Sequence, residues 1–390
     1  MNSQLSSLSK PNRYVVRVIL LNLFSLGIGG ILVGSFLPML RADYGLSYST
    51  GGLLVSAFNI GTMGAGLLAG FLPIFLGRKH SFFLLSLTEG IGFLLIVLTG
   101  QPVALFFAFM IVGMARGAGT NYGNGVANEL SADNSSLLNL INAMFALGAL
   151  VCPFLLLGCN RFGPHGWKLA AVIAAALGLI SSAAMLPMTL GNAPAQGGKP
   201  DFGFLHSRLF WVTVALVFSY MCVESSIIGW IVSFFSDSGA ASESFSLLLN
   251  GLLWLAILAG RFGCTALSAR MSSARLLLIL TAGMVVFFAL LMVLHSLPLM
   301  ILATLGFGLA VSGMYATGLG NAGVVFNRYP VALGFFMFFT GLGSICFPSI
   351  VGAVADWTNI RTGMLVLFFP LALQLVCVIA NLSVSKRENG

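Results

Sequence analysis

The sequence predicts an all-α polytopic membrane protein of twelve transmembrane helices, arranged as two six-helix bundles. Three observations predict it. Only 7% of the residues are charged and 58% are hydrophobic, whereas a soluble domain wears a shell in which about a quarter of all residues are charged. The apolar residues come in runs of about 20, long enough to cross a bilayer as helices that satisfy their own backbone hydrogen bonds. Short alternating segments of the kind membrane strands need are absent. The third observation is a polar stretch rich in Gly and Pro, "GNAPAQGGKPDFGFLHSR" (191–208), which divides the runs six and six.

Segment one (18–40) follows a polar, basic start (Lys10, Arg13, Arg17), and its length marks a spanning helix rather than a cleaved leader. Segment two (51–76) carries "GTMGAGLLAG" and exits through "LLAGFLPIFLGRK", and segment three (82–99) holds Glu89. Segment four (103–128) holds Arg116 and "GAGTNYGNG", segment five (137–159) holds "GALVCP", and segment six (169–190) runs to the divide. Segment seven (209–235) contains Glu224, the one charged residue between Arg208 and Asp237, and segment eight (245–264) ends in "ILAGRFGCTALSAR". Segments nine (276–294) and ten (297–319) follow, the latter with Tyr315 beside Gly313; segment eleven (331–353) holds "GSICFP", and segment twelve spans 362–383. The glycine-rich stretches read as places where helix backbones approach closely. Residues 1–190 thus form an N-terminal bundle, 191–208 a cytoplasmic linker and 209–390 a C-terminal bundle.

Loop charges orient the chain. With the N-terminus inside, the inner loops and ends hold Lys10, Arg13, Arg17, Arg78, Lys79, Lys199, Arg208, Arg261, Arg270, Arg275, Arg328, Lys386 and Arg387, 13 in all. The outer ones hold Arg41, Arg161, Lys168 and Arg361, 4 in all. The positive-inside rule then places both termini in the cytoplasm, as expected of a bacterial inner-membrane protein. The same scatter accounts for the net charge of +8 without nucleic acid as a partner.

Several function classes are excluded. The six cysteines lie singly and lack metal-ligand spacing, so they read as small apolar packing residues. No Gly-Lys-Ser/Thr follows the glycine-rich stretches, which argues against ATP hydrolysis. With no nucleophile–base or metal cluster, an enzyme is not expected, and no cofactor or metal is implied.

The halves echo each other. "LLAGFLPIFLGRK" leaves segment two and "ILAGRFGCTALSAR" leaves segment eight, about half a chain later. Gly148 and Pro153 of segment five match Gly343 and Pro348 of segment eleven, at the same spacing of five. Internal repeats of this kind belong to secondary transporters, which bind solute near the midplane.

This pattern resembles the major facilitator superfamily over essentially the whole chain. Gly70, then Gly77-Arg78-Lys79, is similar to that superfamily's loop signature, with Ile74 where the signature has an acid. Within it, the chain resembles the fucose–galactose–glucose:proton symporter branch. "LNLINAMFALGA" (138–149) is similar to that branch's fifth helix, "GRFGCTALSAR" (260–270) to the end of its eighth, and "VESSIIGWIVSFF" (223–235) to the seventh helix of its sodium/glucose-type members. The resemblance implies the major facilitator fold and a transporter. The departures are that segment one has no acid, and that Asn121, Tyr122 and Asn124 stand where segment four of fucose-type symporters has a Glu. Their proton machinery is therefore not carried over.

An ionisable residue deep in a membrane helix is a functional candidate by default. Glu224 either binds the coupling ion or accepts from solute hydroxyls; the alternative is a permanently protonated acid bonded to a neighbouring helix. Arg116 either attracts an anion and tunes an acid, or pairs with Glu89, which helix rise places about 8 Å away in depth. If coupling runs through a carboxylate, Glu224 is the first choice and Glu89 the second. The amides of Asn121, Asn124 and Asn142 suit sugar hydroxyls, but interhelical bonding is the equal alternative. Tyr220, Trp230, Asn250, Trp254 and Tyr315 complete the candidates, since flat rings suit the apolar face of a sugar while OH and NH groups fix its orientation.

The expected function is secondary active transport of a small polar solute, a sugar first, coupled to a proton or sodium ion, by a monomer in a lipid bilayer. The alternatives are proton-coupled export of an amphipathic compound or organic anion, for which Cys152-Pro153 departs from the Gly-Pro of the antiporter signature, and a non-transporting sensor of the same fold.

Overall fold

A computed structural model describes residues 9–130, 134–191, 201–293, 296–329 and 331–388. Among them the regular elements are all helical. In chain order the α-helices are α1 (Lys10–Ser35), α2 (Leu37–Tyr44), α3 (Tyr48–Leu98), α4 (Pro102–Leu130), α5 (Asn134–Asn160) and α6 (Gly166–Ala183). They continue as α7 (Arg208–Asp237), α8 (Glu243–Ser268), α9 (Ser273–Val293), α10 (Leu297–Val311), α11 (Met314–Asn321), α12 (Gly323–Arg328), α13 (Val331–Trp357), α14 (Ile360–Leu365) and α15 (Phe368–Glu388). Among the described residues, 11 helical stretches are long and apolar enough to cross a bilayer. One of them, the 51-residue α3, turns at Gly77, whose φ of 74° and ψ of 157° only glycine adopts without strain. It therefore supplies two crossings, 48–76 and 78–98, and the twelve expected segments are all present.

The boundaries differ from expectation for local reasons. Segment one begins at Lys10, because Pro11 fits a first helical turn whose N–H groups are unpaired anyway. Segment ten is α10 and α11, interrupted at Ser312–Gly313, where a Cβ on Gly313 would run into the Cys264 thiol of α8. Segment six ends as α6 at Ala183 and tightens through Met185 N–H to Ser182 and Met188 N–H to Met185. Polar caps start later helices: the side chains of Ser207, Ser242 and Asn359 accept from the N–H of Phe210, Phe245 and Thr362. Of the expected linker, residues 192–200 lie outside the described residues. Residues Gly203–His206 form one 3₁₀ turn whose Phe204 is buried against Phe210 and Phe335.

By its contacts the chain divides into unit 1, Met1–Leu46 with Leu53–Gln196, and unit 2, Ser47–Gly52 with Gly197–Gly390. In unit 1, α1 is central and packs on α5, α4 and α6. A Cβ on Gly27 of α1 would strike the Phe145 carbonyl, and one on Gly148 of α5 would strike the Phe24 carbonyl, so the two helices meet backbone to backbone. The first arm of α3 meets α4 in the same way, with Gly61 on the Met110 carbonyl, Gly113 on that of Phe58 and Gly117 on that of Thr62.

In unit 2, α7 is central and packs on α13 and α15, as α1 packs on α5 and α6. Gly343 of α13 rests on the Phe218 carbonyl of α7, 2.6 Å from where its Cβ would stand. Gly343 and Phe218 lie half a chain beyond Gly148 and Phe24, so the repeat seen in the sequence is a repeat of the same close contact. Buried amides lock this unit: Asn321 and Asn381 bond each other reciprocally at 2.9 and 3.2 Å, and Gln374 donates to Thr281 at 3.0 Å. Such bonds are the usual glue of membrane bundles.

Candidate functional site

Unit 2 gathers a polar cluster on α7, α8 and α11. Glu224 is half-buried on α7. Tyr220, one turn earlier and buried, shares a hydrogen bond with the Glu224 carboxyl, and the Arg261 charge on α8 also acts on Tyr220. Tyr315 enters from the start of α11, within reach of the Glu224 charge, its ring leaning on Phe336 at 6.3 Å. The break at Gly313 positions it there. The neighbouring Ser225 and Ser226 hydroxyls bond back to Met221 and Cys222 of their own helix, so neither competes for the carboxyl. The result is a half-buried acid flanked by two phenols with a guanidinium nearby, able to accept from solute hydroxyls while the phenols orient them.

Arg261 is a correction. Counted above among inner-loop cations, it lies within α8, seven residues before the helix ends at Ser268. Segment eight (245–264) already spans this position, so it was the tally of inner cations that misplaced it, and the helix runs on to Ser268.

The other expected residues of unit 2 are packed away. Trp230 is fully buried, its indole N–H donating to the Pro348 carbonyl at 3.0 Å and its ring 5.9 Å from that of Tyr48. Asn250 and Trp254, one turn apart on α8, are both buried, and the Trp254 N–H meets no acceptor. Contact between a solute and these three would need their packing to open first.

Unit 1 carries two ionisable sites. Arg116 of α4 is half-buried, with its guanidinium carbon 5.5 Å from the ring centres of both Phe58 and Phe145. Both spacings suit cation–π attraction. Glu89, on the second arm of α3, is wholly buried. Its Oε2 accepts from Ser25 Oγ of α1 at 2.9 Å, and its Oε1 meets no donor. Its bonding partner is thus Ser25, not Arg116. Of the amides, Asn121 donates to the Gly66 carbonyl at 3.2 Å and Asn142 to the Leu138 carbonyl of its own helix at 2.8 Å, both from exposed positions. Asn124 is half-buried on the same helix as Asn121.

Sequence reasoning missed the buried polar residues of α1 and α6, the two helices that touch Glu89 through Ser25 and Gly178. Asn22 and Ser25 of α1, and Ser181 and Ser182 of α6, are buried, with Asn22 donating to Ser181 at 3.3 Å. The available signal was their presence inside apolar runs. The Arg78 of the loop signature also finds an acid despite Ile74: it pairs with Glu129 of α4 at 2.6 Å.

Comparison with known proteins decides the family. The sequence profile of the Major Facilitator Superfamily matches residues 19–323. The chain belongs to the Major Facilitator Superfamily. Solved members of similar fold include a variant of the nucleoside transporter NupG, with TM-score 0.76 and 14% identity over 95% of this chain and 99% of that one. A bacterial homolog of the human lysosomal transporter Spinster, inward-facing and unoccupied, gives TM-score 0.77 and 12% identity over 97% and 98% of the two chains. A variant of the Escherichia coli fucose:proton symporter FucP gives 0.64 and 16% identity over 94% and 99%. No curated protein matches by sequence. At these identities the likeness to individual structures is one of fold. As a superfamily member the chain has a transporter's architecture, which implies a small-molecule substrate and a membrane setting.

Proposed function

We propose that this protein is a secondary active transporter that moves a small polar solute, a sugar foremost, by alternating access driven by a proton or sodium gradient. The observation that carries the reading is the cluster of Tyr220, Glu224 and Tyr315 with Arg261 nearby, a hydroxyl-reading set in an otherwise apolar bundle. The acids of fucose-type symporters are absent from segments one and four, so this chain meets its solute with other residues. Counterflow in proteoliposomes against a panel of monosaccharides, nucleosides and organic ions tests the reading. Sugar uptake that follows an imposed ion gradient is expected. In Glu224→Gln the carboxylate's charged hydrogen bonds, worth about 1.5–3 kcal/mol, are lost, so uptake falls by roughly 10-fold or more at limiting solute. Wild-type kinetics in that variant would remove Glu224 from the site.

A second reading rests on Arg116. A guanidinium held between the rings of Phe58 and Phe145 suits an amphipathic organic anion, and extrusion of such a compound in the same panel, with no sugar flux, would favour export.

A further inference from the structure

Glu89 sits in a cradle built for a carboxyl group. On α1 a Cβ at Gly29 would stand 2.6 Å from Oε1, and on α6 a Cβ at Gly178 would stand 3.0 Å from Oε2. A Cβ at Gly29 would push the carboxyl group from its place and one at Gly178 would crowd it, so the two glycines let it sit against the α1 and α6 backbones. Ser25 then supplies one hydrogen bond, and Oε1 is left without a donor in a wholly buried site. A buried anion with a single hydrogen bond is severely disfavoured, whereas the neutral acid needs no compensating charge. A structural role would be filled as well by an apolar residue, or by glutamine with both ends bonded.

The charged groups around it are few. The α1 face contributes Asn22, Ser25 and Gly29, the α6 face Gly178, Ser181 and Ser182, and the arm's own turn Ser86; none of these ionises at physiological pH. The α6 cation, Lys168, is ten residues from Gly178 and lies over the rings of Tyr44 and Trp167. On the α4 side the charged residue is Arg116, whose Nη1 stands 3.7 Å from where a Cβ on Gly30 would be. Gly29 and Gly30 are neighbours on α1, turned from each other by about 100°. The acid and the guanidinium therefore lie against adjacent facets of one glycine-lined helix, with only backbone at those two positions.

From this juxtaposition we propose that Glu89 is the proton-binding site of the transporter, holding a proton while bonded to Ser25 and releasing it to water when displacement of α1 at Gly29–Gly30 lets the carboxylate meet Arg116. The step breaks and forms one O–H bond, with hydronium as donor on loading, leaving water, and water as acceptor on release, leaving hydronium. It rests on the transport reading above and narrows its ion to the proton. Glu224 is left to read the solute.

Infrared spectroscopy of the purified protein tests the site without a substrate. Wild type at neutral pH should show a protonated-carboxyl C=O band that shifts in D₂O and vanishes reversibly on alkalinisation. The band should be lost in Glu89→Gln. Ser25→Ala should keep the band but move it to higher frequency as the hydrogen bond goes, and it leaves the acid in place should the Glu89 variant fold poorly. Arg116→Gln should make the band persist to higher pH. No such band, a band unaltered in Glu89→Gln and Ser25→Ala, one that neither exchanges nor titrates, or an unmoved midpoint in Arg116→Gln overturns the proposal. A transport arm separates its failure from that of the sugar reading. Monosaccharide accumulation driven by a pH gradient in wild type should be lost in Glu89→Gln. Persistence there, or accumulation driven by sodium alone, overturns the proton site. Absence of any sugar flux in wild type sinks the sugar reading, and the spectrum then decides Glu89 by itself.

Discussion

Asp356, at the end of α13, shows how much one carboxylate can do at a helix terminus. It accepts from the backbone N–H of Tyr48 at 2.7 Å and of Ser49 at 2.8 Å, while the Tyr48 hydroxyl donates to Asp237 at 3.0 Å. The first N–H groups of a helix have no partner within it and carry the positive end of its dipole, so the acid satisfies two donors and meets favourable charge. Asp356→Ala is expected to cost about 1 kcal/mol, as loss of a helix cap does, read as a lower melting midpoint of the solubilised protein, with Asp356→Asn in between. Equal midpoints for all three would mean that water caps this end as well. Nothing in the sequence announced this contact, because its partners are about three hundred positions apart. Glu89, Arg116 and Glu224 were visible as isolated charges in apolar runs. What was hidden was their company: Ser25 below Glu89, and Arg261 beside Tyr220, which a count of loop cations had assigned to the inner surface.

Elements were more legible than residues, since hydrophobic run length alone gives the twelve crossings. The breaks inside segments ten and twelve were not, because a helix interruption leaves the run apolar. Glycine patterns were legible only in part. Both "GTMGAGLLAG" and "GAGTNYGNG" read as close-approach surfaces, yet the structure splits them. Gly61 and Gly117 press on the carbonyls of Met110 and Thr62, whereas nothing lies within 4 Å of a Cβ built on Gly64, Gly66 or Gly70. Gly117→Ala should therefore force α4 from the first arm of α3, with an overpacking cost of about 1–3 kcal/mol. Gly64→Ala should be neutral or slightly stabilising, through helix propensity. Thermal unfolding of the purified variants separates the two classes, and equal losses at Gly64 and Gly117 would mean that helix spacing is not set by these contacts.

At the scale of the whole molecule, the two units repeat one plan, α1 on α5 and α7 on α13, with Gly148 and Gly343 doing the same work. The sequence displayed the repeat as two spaced Gly and Pro pairs; it could not display the carbonyls they rest on. Orientation in the membrane is a separate property, set by the loops. With the N-terminus taken as inside and Arg261 set aside for its place beside the Tyr220–Glu224 cluster, the expected inner side holds 12 cations against 4 on the other. Translocating Lys or Arg costs more than retaining it, so a bias of this size sets topology on its own. A fluorescent protein fused after residue 390 is therefore expected to fluoresce in cells, and alkaline phosphatase at the same point to stay inactive. Phosphatase inserted in the 161–165 loop, on the opposite side, should be active. The reverse pattern would place the termini outside, and Arg270 of the α8–α9 turn and Arg275 in the first turn of α9 would then need a compensating anionic partner.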